Sequence, residues 1–210
     1  MQQAASSSTL VDALAVRRNA HANAIRVAGV LFVTALTAAA AQFSVPLPFT
    51  VVPFTLQPMV VLLGGLALGS RLGLASQVLY LLAGAAGLPV FAASATLPPG
   101  ALRLLGPTGG YLLCYPIAAF IVGRLAERGF DRRYATSVLA MAAGLLVIYA
   151  CGVLWLGLFA TASAGGPAIG LRAALAAGVY PFFIADALKL IAAAGILPGF
   201  WRLLGRVSGH

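Results

Sequence analysis

The sequence predicts an all-α integral membrane protein: a compact bundle of six transmembrane helices with both termini cytoplasmic. Three observations predict it. Hydrophobic residues make up 61% of the 210 and charged residues 8%, about a third of the charge of a soluble domain (roughly 25%). A chain so poor in charge cannot cover a water-facing surface, so lipid is its solvent. Six apolar segments follow one another, as many spans of roughly 20 residues as the length accommodates with loops between them. The arginines, finally, gather at alternate segment ends, the bias that marks cytoplasmic loops.

Residues 1–24 read as a Ser-rich cytoplasmic tail, 25–200 as the membrane domain, and 201–210 as a second cytoplasmic tail. Arg17, Arg18 and Arg26 precede the first apolar run, as in a secretory signal. That run is long enough to span and others follow it, so it reads as a retained helix. The spans are expected at about 25–43, 56–69, 72–87, 109–128, 134–160 and 173–197. The second and third are short, and GSRLG (69–73) joins them as a tight helical hairpin. With six spans, Arg17, Arg18, Arg26, Arg71, Arg124, Arg128, Arg132, Arg133, Arg202 and Arg206 share one side, against Arg103 and Arg172 on the other. The richer side is the cytoplasmic one.

Three connections lie on the opposite, outer side: FSVPLPFTVVPFT (43–55), GLPVFAASATLPPGALRLLGPTGG (87–110) and TASAGGPAIG (161–170). Proline-rich apolar backbone cannot face lipid with its polar groups unsatisfied, so it lies over protein or lines a cavity. Together the three are expected to form a lid over a pocket at the helix ends.

The sixth span, YPFFIADALKLIAAAGIL (180–197), carries Asp186 and Lys189 in a chain with four acidic residues and a single lysine. At i and i+3 they share one helix face. Each charge near mid-membrane costs about 2.5–3.5 kcal/mol, so that face looks inward. One reading is a mutually neutralising pair that staples this helix to a neighbour. The other is a ligand site, with the carboxylate accepting N–H groups and the ammonium donating to a carbonyl or carboxylate. Pro181 is expected to free a carbonyl and bend the helix toward the outer cavity.

In GPTGGYLLCY (106–115), Thr108 suits a helix N-cap; alternatively Gly109 and Gly110 let backbone approach a ligand while Tyr111 offers a ring and a hydroxyl. Gln57, in PFTLQP, either satisfies backbone at a helix start or bonds a ligand. Phe49, Phe54 and Phe91 suit interface packing equally well. Ala35 and Ala39, four apart in the first span, permit close helix contact in lipid, within the bundle or with a second protein.

Other functions are excluded or disfavoured on the same residues. No Gly-x-x-x-x-Gly-Lys-Ser/Thr loop is present to cradle nucleotide phosphates, so any ATP-driven step belongs to another subunit. The +9 charge is scattered between apolar runs, not gathered on one face as nucleic-acid binding needs. Cys114 and Cys151 are expected to pack as small hydrophobes without pairing, and His21 and His210 have no partners for a metal. No Gly-x-Ser-x-Gly or His-Glu-x-x-His motif points to an enzyme.

Three stretches in order, VPLPFTVVPFTLQPMVVLLGGLALGSRLGLASQVLYLLAGAAGLPVFA (45–92), GPTGGYL (106–112) and PFFIADALKL (181–190), resemble the BioY family, and the resemblance extends over nearly the whole chain beyond residue 25. It implies the substrate-binding S component of a biotin transporter of the energy-coupling factor (ECF) type, in the cell membrane of a bacterium or archaeon. Biotin is then the transported ligand, with no cofactor of the protein's own. The implied partners are a transmembrane coupling subunit and two ATPases, met through the Ala35 and Ala39 face. By the same resemblance Asp186, Lys189 and Tyr111 are expected at the vitamin, with Gly109, Gly110, Gln57, Phe91, Ser94 and Arg103 around it and Arg103 a second candidate for its carboxylate. The chain departs from the pattern in having Ala93 near a loop position that carries an amide in some relatives, and in a longer first loop. Another vitamin on the same scaffold, a proton-coupled carrier relying on Asp186, and a purely structural membrane protein are the alternatives.

Overall fold

The computed structural model describes residues 9–17, 21–94, 97–160 and 169–207. Its long helices are α2 (Ala22–Gln42), α6 (Gly109–Ala126) and α7 (Tyr134–Leu158), with α3 (Gln57–Leu68) and α4 (Ser70–Ala85) as a shorter pair. Among the described residues four stretches are long and apolar enough to cross a membrane: Ala22–Gln42, Gly109–Ala126, Tyr134–Leu158 and Tyr180–Leu204. Helix α3, at 12 residues, rises only about 18 Å. Large apolar side chains point outward along these helices: Phe32, Leu139, Leu146 and Ile184 are each more than 60% exposed. A contiguous apolar exterior of that kind marks a lipid-facing surface. The protein is a multi-pass membrane protein.

Helix α6 is the axis of the bundle. Its Ala118, Ala119 and Val122 are fully buried, and small residues let its neighbours approach backbone to backbone. A Cβ at Gly65 would meet the Ala119 carbonyl oxygen 2.7 Å away, and one at Gly123 would collide with the Gly69 carbonyl and the Ser70 amide. Gly69 turns the chain between α3 and α4 with φ 81°, a left-handed conformation that side chains other than glycine's disfavour. This hairpin is the one expected from GSRLG.

Glu127, just past α6, completes that turn. Its carboxylate accepts from the Ser70 amide (2.9 Å) and hydroxyl (2.6 Å), and from Arg124 (2.8 Å). Burial pushes this carboxyl up, but the bonds from Ser70 and Arg124 outweigh it and hold its pKa below the ordinary value. A depressed folded-state pKa stabilises above the unfolded value, and that contribution disappears as pH falls through the folded one. Glu127→Gln is therefore expected to lower the melting temperature by a few degrees at neutral pH. The gap from wild type should close below about pH 4, as a melting series across pH would reveal.

Several sequence expectations are corrected. The segment 1–24, read as a tail, contains helix α1 (Leu10–Arg17). Its Val11 packs with Val33 and Leu68, and Asp12 pairs with Arg26 at 2.9 Å; LVDALAVR hides enough apolar surface to dock. The sixth segment is three helices: α8 (Leu171–Gly178), α9 (Tyr180–Ala193) and α10 (Ile196–Val207). The break falls at Val179 (φ −127°, ψ −58°), and Pro181 sits in the first turn of α9, where its missing N–H costs nothing. It starts a helix instead of bending one. Helix α10 also runs well into the segment 201–210 that was read as a tail; Trp201 donates to the buried Asp131 (2.6 Å) and lies under the Arg132 guanidinium (4.1 Å). The all-α expectation misses one short hairpin, β1 (Ser44–Val45) paired antiparallel with β2 (Phe54–Thr55). Finally, Cys114 and Cys151, expected apart, are paired as a disulfide between α6 and α7, with Cα atoms 6.3 Å apart.

Candidate ligand-binding site

Opposite the Glu127 end, the loops close over a cavity of about 320 Å³, within the range of small-ligand sites (roughly 300–1,000 Å³). Residues from 46–58, 91–94 and 97–108 supply its rim, α6 and α7 its walls, and Gly178, Phe182 and Asp186 its α8–α9 side. A segment 102–105 of the second connection forms the short helix α5 (Leu102–Leu105). Of the expected third loop, 161–170, residues 161–168 lie outside the described residues.

Asp186 is 7% exposed and lines this cavity. Its Oδ1 pairs with Lys189, and its Oδ2 accepts from the Tyr149 hydroxyl at 2.6 Å. Both oxygens are thus oriented, and each keeps acceptor capacity for a further N–H. Lys189 is not among the cavity-lining residues. Its ammonium donates to the Thr55 carbonyl (2.8 Å) and lies 4.0 Å from the centre of the Phe54 ring.

Tyr111 lines the wall and donates to the Gly178 carbonyl (3.1 Å). Its ring fills the space that a Cβ at Gly152 would occupy, and its hydroxyl blocks one at Gly178. Gln57 also lines the cavity, but it donates to the Tyr80 hydroxyl (2.6 Å) and not to helix-start backbone; Tyr80 passes a bond to the Val90 carbonyl (3.2 Å). Phe91 packs edge-on to Tyr80, centroids 5.4 Å apart, seated over Gly84. Ser94 and Arg103 are at the rim; Ser94 accepts from the Leu97 amide (3.3 Å) and Arg103 donates to the Leu97 carbonyl (3.4 Å).

Gly109 and Gly110 are placed differently from the expectation. They do not line the cavity: a Cβ at Gly109 would strike the Leu104 carbonyl, and one at Gly110 the Trp155 side chain. They let α6 start tight against α5 and α7. Thr108 holds the N-cap position without a side-chain cap bond and borders the cavity instead. Ala35 and Ala39 are exposed on α2, turned away from its buried face of Val33, Thr37 and Ala40.

The site's least legible members are tyrosines. Tyr149 and Tyr115 both line the cavity; Tyr149 lies in none of the quoted motifs, and Tyr115, the last residue of GPTGGYLLCY, was given no role there. An isolated Tyr in an apolar span, able to reach the charged pair, was the one available signal.

The BioY family model matches residues 13–206. The chain belongs to the BioY family. Among BioY proteins, the probable biotin transporter BioY of Pyrococcus horikoshii is 44% identical over 159 residues, covering 76% of this chain and 85% of its own. The biotin transporter BioY of Thermotoga maritima is 40% identical over 161 residues, covering 77% and 86%. A solved structure described as the S-component for biotin from an ECF-type ABC transporter matches with a TM-score of 0.73. It covers 86% of this chain and 92% of that one, at 23% identity, and so speaks to the fold alone.

Proposed function

We propose that this protein is the biotin-binding S component of an ECF-type uptake transporter. It sits in the cell membrane as a six-pass subunit with both termini cytoplasmic, and captures biotin from outside. The observation that carries this reading is Asp186: a buried, pre-oriented carboxylate on the wall of an otherwise largely apolar cavity. Biotin offers a ureido ring with two N–H donors, a thioether and an aliphatic chain ending in a carboxylate. Asp186 accepts a ureido N–H, Tyr111, Gln57 and Phe91 surround the rings, and Arg103 at the rim faces the carboxylate end. Lys189 pairs with one Asp186 oxygen and helps to orient the carboxylate.

The family membership and the names of its relatives support biotin over other vitamins. Translocation is powered by partner ATPases through a transmembrane coupling subunit, and the exposed Ala35 and Ala39 face of α2 suits that contact, since small residues permit close helix approach in lipid. The deciding experiment is a binding screen of purified protein against biotin and other water-soluble vitamins. Saturable biotin binding is expected; stabilisation by a different vitamin alone would overturn the reading.

Tyr149 gives a graded test of the same site. Tyr149→Phe removes one hydrogen bond to a charged acceptor, worth about 1.5–3 kcal/mol, and leaves the ring in place. Biotin affinity is expected to fall at least about 10-fold, measured by radioligand titration.

A further inference from the structure

A helix in lipid has no hydrophobic preference for the face it turns inward, since the tails are as apolar as its own side chains. Helix α2 meets this problem along most of its length: from Val27 to Ala41 its only polar side chains are Thr34 and Thr37. Both turn to α4. The Thr34 hydroxyl donates to the Ser76 carbonyl (2.8 Å). The Gln77 amide donates across the seam to the Thr37 hydroxyl oxygen (3.3 Å) and, on its own helix, to that of Ser76 (3.2 Å). Thr37, Ser76 and Gln77 are fully buried.

The protons of this cluster are already assigned. Thr37 gives its own to the Val33 carbonyl and Ser76 to the Gly73 carbonyl, both at 2.8 Å. Each hydroxyl oxygen is left as an acceptor, and Gln77 is the side chain that donates from α4 to α2. Its Oε1 is buried with no hydrogen-bond partner among the described residues. An amide kept in an apolar seam at that cost is accounted for by what its NH2 holds. Ala35 and Ala39 stand two positions either side of Thr37, each about 160° round the helix at 3.6 residues per turn. Holding Thr37 against α4 therefore turns both alanines outward, where they are exposed.

We propose that Gln77 is a positioning residue for α2: through Thr37 it fixes the rotation of that helix and so sets which face α2 presents to its surroundings. The value of that face for coupling rests on the ECF reading above; the rotation does not.

Nitroxide labels at Ala35→Cys, Ala38→Cys and Ala39→Cys test the rotation, one at a time on the full chain in lipid nanodiscs, through their collisions with dissolved oxygen. Cys114 and Cys151 are paired, so the label goes to the added thiol. Ala38 packs on the core, and with Gln77 in place the labels at 35 and 39 should be at least about twice as accessible as the label at 38, following the helical period. Gln77→Leu should bring that ratio to about one, as should Thr34→Val combined with Thr37→Val. Thr34→Ser combined with Thr37→Ser keeps the hydroxyls and should keep the contrast. The melting temperature of Gln77→Leu is expected within about three degrees of wild type, because an unpaired oxygen leaves together with the bond. An unchanged ratio in Gln77→Leu would overturn the proposal and give the rotation to the packing of Val33 at Gly64. Lost contrast with a larger fall in melting temperature would mark general loosening and reject it as well.

Co-purification with a tagged coupling subunit and its ATPases reads the consequence. Ala35→Leu and Gln77→Leu should each lower recovery severalfold. Normal recovery of Gln77→Leu beside a failing Ala35→Leu would reject the link between rotation and assembly. Normal recovery of Ala35→Leu would sink the coupling-face reading and leave the label result to stand or fall by itself.

Discussion

Asp186→Asn is expected to lower biotin affinity by about 3 kcal/mol, roughly 100-fold or more, because it unbalances a buried pair. The amide keeps the size of the carboxylate and loses its charge. Lys189 would then stand inside the bundle without an anionic partner. One amide oxygen cannot replace two carboxylate oxygens that accept from Lys189 and Tyr149 and still face the cavity. The amide's NH2 would also oppose the ureido N–H groups it is meant to receive. Insertion should persist, since a neutral side chain is cheaper in lipid than a charged one. Radioligand binding on protein that elutes as a single species decides it. Wild-type affinity in that variant would remove Asp186 from the site.

Gly123→Ala should cost much stability, because a methyl has no room where α6 meets the α3–α4 hairpin. The new Cβ would overlap the Gly69 carbonyl and the Ser70 amide. These are backbone atoms fixed from both directions. Gly69 holds a left-handed turn at φ 81°, and the Ser70 amide already donates to Glu127. A flexible side chain could swing aside; a turn pinned by a carboxylate cannot. The cost should reach the upper end of overpacking, about 3 kcal/mol, seen as lower yield and a melting temperature reduced by several degrees. Gly199→Ala is the control of opposite sign. Nothing lies within 4 Å of its added Cβ, and it is inside α10, where alanine exceeds glycine by about 0.5–1 kcal/mol. Equal behaviour of the two variants would show that the hairpin does not pack on α6 as described.

How much of this was legible beforehand differs by residue. The apolar runs of α2, α3, α4, α6 and α7 emerged within a few residues of their ends, because a membrane helix must be apolar along its length. The BioY resemblance, carried by three ordered motifs, agrees with the family that the chain belongs to. Asp186 and Lys189 were conspicuous because charge is scarce in the chain. Gly109 and Gly110 were visible as glycines but not as packing against Leu104 and Trp155. Helix α1 was hidden because eight residues of mixed polarity look like a tail until a partner surface exists for Val11.

By itself the sequence determined the solvent of this protein, the order of its apolar helices, its family and the scarce charges that had to face inward. Those properties depend on each residue's own transfer energy and on neighbours three or four positions away. The tertiary structure alone decided that Tyr149 meets Asp186, that Lys189 turns to the Thr55 carbonyl, that Cys114 meets Cys151, and that the last span is broken. Such choices are made by the packing of segments tens of residues apart, where small differences in helix approach select one partner for each polar group, and no local pattern records that selection.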